Sequence, residues 1–155
     1  MWTATLWVAL GVITAALITR GIKISEFRQS WIDGLRSDIS EYLSKAHQWF
    51  DLYLIFNNET EQKKAELSEK LDVLKYEALH LHNRICLRFK ADDQSANTLL
   101  KNLLGLLDPG EVGIGNDANS KWRDLSDKVV SEARELLKAE WEATKNPLLK
   151  FYKNI

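Results

Sequence analysis

Three basic side chains near the middle of the chain have the spacing of one helical face. They are His80, Arg84 and Arg88, each four residues from the next, and Lys90 lies just beyond them. Because residues three or four apart lie on the same side of an α-helix, this basic ridge aligns donors that can bind phosphates or carboxylates. We predict that it binds an anion or a partner. Glu77, one turn before His80, makes pairing within the chain the alternative.

The remaining reactive side chains do not form a catalytic pattern. His80 and His82 are two residues apart on a helix, so one metal ion needs a further ligand such as His47 from another helix. Cys86 follows His82 by one turn, but no third group is placed to orient a nucleophile and its base. We therefore predict no enzyme, no metal site and no cofactor, with Cys86 a buried, inert thiol.

Composition restricts the class of protein further. The 155 residues carry 21 basic and 22 acidic side chains, a formal net charge of −1. A nearly neutral chain does not have the strongly positive charge of a protein that binds a nucleic acid duplex. A single cysteine cannot form an internal disulfide, which is typical of a reducing compartment.

The element that must position these residues begins at the N-terminus. Residues 2–19 contain no charge, and as a helix they would measure roughly 27 Å, close to the ~30 Å hydrocarbon thickness of a bilayer. We predict a transmembrane anchor at residues 1–20 and a cytoplasmic helical domain at residues 21–155. A cleaved signal peptide and a buried core helix are the alternatives.

The flanks of the anchor predict its orientation. Trp2 and Trp7 lie near one end, and Arg20, Lys23 and Arg28 follow the other end. Aromatic residues prefer the membrane interface, and basic residues stay on the cytoplasmic side. The N-terminus is therefore expected outside the cell and the rest of the chain inside it.

Helical periodicity continues through the remainder of the chain. A first long helix is predicted over 24–56. It either continues the anchor or bends at a hinge at Gly21. Successive residues of its apolar stripe are four apart, except for one step of three. The stripe comprises Phe27, Trp31, Leu35, Ile39, Leu43, Ala46, Phe50 and Leu54. Further helices are predicted from an Asn58 cap to about 89, over 94–107, and from a Ser120 cap to about 145, with a loop at 108–119. The predicted fold is all-α: one transmembrane helix continuing into a bundle of about four helices.

Two sets of residues are predicted to bring copies of the chain together. In the anchor, Gly11 and Ala15 form a small-residue notch where two helices could approach closely. Beyond the anchor, a mixed aromatic and charged group is predicted to contact another subunit, with packing inside one chain as the alternative. This group comprises Phe27, Arg28, Trp31, Arg36 and Asp38.

Three segments together resemble a family of small, largely uncharacterised bacterial membrane-anchored helical proteins. They are Phe-Arg-Gln-x-Trp-Ile-x-x-Leu-Arg from Phe27, Asn-Arg-Ile-x-Leu from Asn83, and Leu-Lys-x-Glu-Trp-Glu from Leu137. Lys90-Ala91 stands where the family pattern has Asn-Pro. The resemblance implies a single-pass protein of the bacterial inner membrane and brings no catalytic residue.

Two functions follow from these features as hypotheses. In the first, a non-enzymatic membrane effector self-associates through its cytoplasmic domain. By analogy of layout, an anionic signal such as a cyclic nucleotide would gate it in antiphage defence. In the second, the protein is a passive adaptor that tethers a partner protein at the inner membrane. Its partners would thus be the lipid bilayer, further copies of the chain, and either a small anion or another protein.

Overall fold

The computed structural model describes residues 2–145, with side chains for residues 5–142, and all regular structure in this range is helical. The five helices are α1 (Trp2–Asn58), α2 (Glu61–Cys86), α3 (Gln94–Gly105), α4 (Pro109–Val112) and α5 (Ala118–Lys145). The prediction of an all-α fold is confirmed. The tail after Pro147, like the side chain of Trp2, lies outside the described part.

The chain divides into two compact units. Residues 34–138 form one unit, and residues 2–33 belong to the other together with residues 139–145. The first of these units contains a hydrophobic core to which α1, α2, α3, α4 and α5 all contribute buried side chains. The candidate site described below lies within this unit.

The buried face of α1 differs from the predicted stripe. Its members lie four and three residues apart in alternation, and they are Leu35, Ile39, Tyr42, Ala46, Trp49 and Tyr53, with Phe50 beside them. This is a heptad-like seam, which keeps one face toward packed neighbours. Leu43 and Leu54 of the predicted stripe are only half-buried. Tyr42 and Trp49 take core positions because large rings bury more apolar area than these leucines.

Helix α2 begins and ends differently from the prediction. Its N-cap residue is Thr60, with no side-chain capping bond, whereas the Asn58 amide donates to the Leu54 carbonyl. The helix ends at Cys86, so residues up to Phe89 form turns instead of a last helical turn. Its buried side chains Leu71, Ala78, Leu81, His82 and Ile85 follow the expected heptad-like spacing.

Capping residues explain where α3 and α4 begin. The Asp93 carboxylate accepts a bond of 3.0 Å from the Ala96 amide, as its place before α3 predicts. In the predicted loop, Pro109 and Asp108 start the short helix α4, and Val112 is buried. Gly113, with φ +77°, ends this helix in a conformation that favours glycine.

Helix α5 starts two residues before the predicted cap. It begins at Ala118, and the Ser120 hydroxyl donates to the Asp117 carbonyl at 2.8 Å instead of capping the helix. Ala118, Trp122, Val129 and Ala133 are the buried positions on its inner face.

The N-terminal part of α1 presents its apolar side chains outward. By length and composition α1 is able to cross a membrane: an 18-residue window has a mean hydropathy of 1.7, and none of it is buried. The helix is uninterrupted at Gly21, so the structure has no hinge there. The prediction of one long apolar N-terminal helix is confirmed.

Candidate functional site

A buried carboxylate holds two arginines at the contact between α1 and the end of α2. Asp38 is 4% exposed, and its Oδ2 accepts from Arg88 Nε at 2.7 Å and lies 2.6 Å from Arg88 Nη2 in an ion pair. Its Oδ1 accepts from Arg84 Nη2, which also donates to Glu41 Oε2 at 3.2 Å. We call Asp38, Glu41, Arg84 and Arg88 the Asp38 cluster. With two positive and two negative side chains, it is electrically balanced.

The hydrogen bonds of the Asp38 cluster favour the charged form of Arg84. The hydrogen bond to Asp38 is the main cause that raises the pKa of Arg84 above its ordinary value, with Glu41 adding to it. The guanidinium is protonated at neutral pH in any case. An anion that binds these arginines has to compete with a carboxylate already in place.

Gly34 provides the space in which Arg88 lies. A Cβ atom at position 34 would be 3.0 Å from Arg88 Nη2 and 3.2 Å from Nη1. An alanine there would require the guanidinium to shift by a few tenths of an ångström. The sequence pattern gave no sign of this role, because Gly34 lies inside a predicted helix, 54 positions before Arg88.

The structure brings together only part of the predicted basic ridge. Arg84 and Arg88 meet at Asp38, whereas Lys90 is exposed beyond the end of α2. His80 is exposed and borders a groove of about 440 Å³ between α1 and α2. In that groove Lys45 Nζ lies 2.7 Å from Glu77 Oε2, so Glu77 pairs with a lysine of α1.

The residues predicted to contact another subunit have mixed surroundings. Gly11 and Ala15 are exposed, an added Cβ at Gly11 would meet no atom within 4 Å, and Phe27 is 75% exposed. Arg28, Trp31 and Arg36 each have an interaction within the chain. Asp38 belongs to the Asp38 cluster. Contact between subunits therefore stays a prediction, and its most accessible members are on the apolar part of α1 and at Phe27.

A second set of polar side chains joins α1 and α2 to α3. The Tyr42 hydroxyl donates to the Leu103 carbonyl at 2.6 Å, and His82 Nε2 lies 3.1 Å from the Leu100 carbonyl. Burial raises the pKa of Tyr42. These bonds give the Tyr42 hydroxyl and the His82 ring nitrogen partners inside the core, so their role is structural.

Cys86 lies beside this set without the features of a nucleophile. Its Sγ is 3.6 Å from His82 Nδ1, and burial raises the pKa of the thiol. A raised pKa leaves less of the reactive thiolate at neutral pH. Among residues 5–142, no group of three or more His, Cys, Asp and Glu side chains is placed to hold a metal ion.

One cleft was not anticipated from the sequence. It has a volume of about 370 Å³ and lies between α1 and α5, with His47, Trp122 and Arg123 in its wall. The His47 ring lies 4.7 Å from that of Trp122, which stacks on Phe50 at 5.2 Å and donates to the Leu106 carbonyl. The cleft has room for a small molecule, and Arg123 can bind a negative group on it.

Comparison of the chain with protein-family models, with curated proteins and with solved structures found no match in any of the three. The function is therefore inferred from the charged side chains and apolar surfaces described above.

Proposed function

We propose that the protein is a non-enzymatic, single-pass membrane effector whose helical domain self-associates. The observation that carries this proposal is the apolar first part of α1, which has no buried residue in its most apolar window. An apolar helix that is exposed on every side is not stable in water by itself. A bilayer can cover all of its faces. The proposed location is the bacterial inner membrane, with the N-terminus outside, because Arg20, Lys23 and Arg28 follow the apolar stretch.

Self-association is supported by the shape of the apolar helix. Gly11 and Ala15 are four residues apart and exposed, so they leave a shallow notch on one face. Helices in membranes associate through such small residues because their backbones can approach closely. A second copy of the chain supplies a matching notch.

The Asp38 cluster supports gating by an anionic signal. Arg84 and Arg88 of the predicted basic ridge are held by Asp38 of α1, the helix that also contains the apolar stretch. An anion such as a cyclic nucleotide that displaces Asp38 would loosen the contact between α1 and α2. Antiphage defence is proposed from this layout, an anchor joined to a domain that can take up a signal.

Two measurements in cells test the effector proposal. The full-length protein should stay in the membrane fraction after alkaline carbonate extraction, and its overproduction should make the inner membrane permeable to a dye. A chain lacking residues 1–20 should do neither. Release of the full-length protein by carbonate would refute the membrane proposal. Membrane retention without permeability would refute an effector that acts through self-association alone, and the signal-gated form is tested separately by anion binding.

Binding of an anion tests the gating proposal. A cyclic mononucleotide should bind the detergent-extracted protein, and Asp38→Asn should raise its affinity because the competing carboxylate is gone. Arg88→Gln should abolish binding. Equal affinities in all three proteins would show that the signal does not use the Asp38 cluster.

A passive adaptor is the second candidate, and exposed apolar side chains of α2 and its following turn favour it. Val73, Tyr76 and Leu87 are 52%, 71% and 87% exposed. Such side chains can form part of a partner surface. An adaptor would leave cells unharmed and would be recovered from the membrane with a stoichiometric partner, and Tyr76→Ala with Leu87→Ala would release that partner.

A further inference from the structure

We propose that a groove on α1 binds the headgroup of an anionic phospholipid, an inference that rests on the membrane location proposed above. The groove is a shallow depression on one face of the helix, open to solvent, with a volume of about 700 Å³. Its wall includes Ala16, Arg20, Lys23, Ile24, Phe27 and Arg28. It lies where the uncharged stretch ends and the first charged side chains begin.

The spacing of these residues places them on one side of the helix. Counting from Arg20, the wall continues at the third, fourth, seventh and eighth following residues, which share a face at about 100° per residue. Three of the side chains are basic. Glu26 is the one acidic residue between 16 and 28, and it lies roughly 120° around the axis from Arg20 and roughly 60° from Lys23, at the edge of this face. Three basic side chains against one acidic neighbour leave the groove face with a net positive charge in its sequence.

The groove combines charge with an apolar surface. Phe27 is 75% exposed and Ile24 is 43% exposed, directly beside Lys23. A phospholipid combines the same two properties. Its phosphate can bind Arg20 and Lys23, and its glycerol and upper acyl chains can cover Phe27 and Ile24. Basic residues that flank a membrane helix attract anionic lipids in this way.

This combination favours a lipid over the other candidate occupants. Inorganic phosphate would satisfy the basic side chains but leave Phe27 in water. A second copy of the same face would place like charges opposite one another, which is unfavourable. An anionic lipid is already concentrated at the depth of the groove and needs no separate delivery.

Native mass spectrometry of the full-length protein in mild detergent tests the inference, with phosphatidylglycerol and phosphatidylcholine as probes. Each basic residue near an anionic surface strengthens attraction by roughly fivefold. Arg20→Gln with Lys23→Gln should therefore weaken phosphatidylglycerol binding by about 10- to 30-fold and leave the weak phosphatidylcholine binding unchanged. Lys70→Gln with Lys101→Gln, which removes two exposed charges of α2 and α3, is the matched control and should change neither.

Further arms of the same experiment separate the alternatives. Phe27→Ser should weaken phosphatidylglycerol binding, whereas millimolar inorganic phosphate should not displace the lipid. Equal retention of both lipids, equal loss in the control variant, or displacement by phosphate would each overturn the inference. Carbonate extraction of the same proteins keeps the two proposals apart. The Arg20→Gln and Lys23→Gln protein should remain in the membrane, and only extraction of the unmodified protein counts against the membrane location itself.

Discussion

Asp38 shows how one residue can have a different role from the one its neighbours in sequence indicate. Its place near Arg36 predicts a contact between subunits, with packing inside one chain as the alternative. The structure has its carboxylate buried and bound by Arg84 and Arg88 of the same chain. The partners lie 46 and 50 residues away in sequence. The spacing of residues within one helix contains no information on partners so far away in sequence. The pairing of Asp38 with these arginines therefore could not be predicted from the sequence.

Removing the Asp38 charge should destabilise the unit formed by residues 34–138. In Asp38→Asn the two guanidiniums lose their buried acceptor, and we expect a loss of about 2 to 3 kcal/mol in the free energy of unfolding. Thermal unfolding of the detergent-extracted protein by circular dichroism measures it. Asp72→Asn, an exposed aspartate on α2, should change stability by less than about 0.5 kcal/mol. Equal effects of both changes would contradict a stabilising role for the Asp38 cluster.

The Tyr42 hydroxyl gives a second prediction for a single atom. Tyr42→Phe keeps the ring in the core and removes the hydroxyl's bond to the Leu103 carbonyl, which still accepts from the Leu106 amide. The loss of this one bond should cost about 0.5 to 1.5 kcal/mol of unfolding free energy. Tyr76→Phe removes the same atom from a residue that is 71% exposed and should be neutral. The same unfolding measurement compares the two. A neutral Tyr42→Phe would mean that the bond between Tyr42 and Leu103 makes no net contribution to stability.

Cys86 should react slowly with thiol reagents. Because burial raises the pKa of its thiol, the thiolate fraction at a given pH is smaller than in an unfolded chain. Alkylation by iodoacetamide should therefore be slower in the folded protein than in the protein unfolded in urea. The midpoint of the curve of rate against pH should also lie at a higher pH for the folded protein. A folded protein that is alkylated as fast as the unfolded chain at pH 7 would contradict this.

At the level of single helices, periodicity predicted where the helices lie in the sequence better than it predicted which of their residues are buried. The predicted stripe on α1 took apolar residues at steps of four, yet the buried seam alternates steps of four and three and includes Tyr42 and Trp49. Both patterns pass through Leu35, Ile39, Ala46 and Phe50, so the sequence alone did not separate them. The burial of large aromatic residues decided between the two patterns. Caps were predictable where an aspartate precedes a helix, as at Asp93, and not at Thr60, where no side chain makes a capping bond.

The small-residue notch leads to a prediction for the apolar part of α1. Gly11→Leu fills the notch without meeting any atom of the same chain, so it should leave folding unchanged and prevent close approach of a second helix. Ala9→Leu, about 160° away around the helix axis, is the matched control. Crosslinking in membranes should show the oligomer lost in Gly11→Leu and kept in Ala9→Leu. An oligomer that survives both changes would place the contact elsewhere.

For the molecule as a whole, the sequence was informative about class and much less so about the site. An uncharged N-terminal stretch and helical periodicity were sufficient for an all-α fold with one long apolar helix, because both are local properties of the chain. The cleft beside Trp122 depends on contacts between α1 and α5. It could not be located from the sequence because no pattern specifies how those two helices meet.

The orientation of the chain across the membrane can be measured directly. Three basic residues within nine positions after the uncharged stretch predict that residues beyond Arg20 stay inside the cell. Protease added to spheroplasts should leave the helical domain intact, and protease added to inside-out vesicles should digest it. Replacing Arg20, Lys23 and Arg28 with Gln should produce a mixed orientation. Digestion in spheroplasts of the unmodified protein would reverse the proposed topology.

The contacts of α1 also determine when the protein can fold during synthesis. Phe50 of α1 stacks on Trp122 of α5, and 64 residues separate Trp122 from the end of α1 at Asn58. At ~5–20 residues per second, a ribosome needs roughly 3 to 13 s to make that stretch. For a delay of this length, the aromatic face of α1 is outside the ribosome before its final neighbours emerge. Newly made chains are thus most exposed to proteases and chaperones in those seconds, and slowing translation after Asn58 would extend that period.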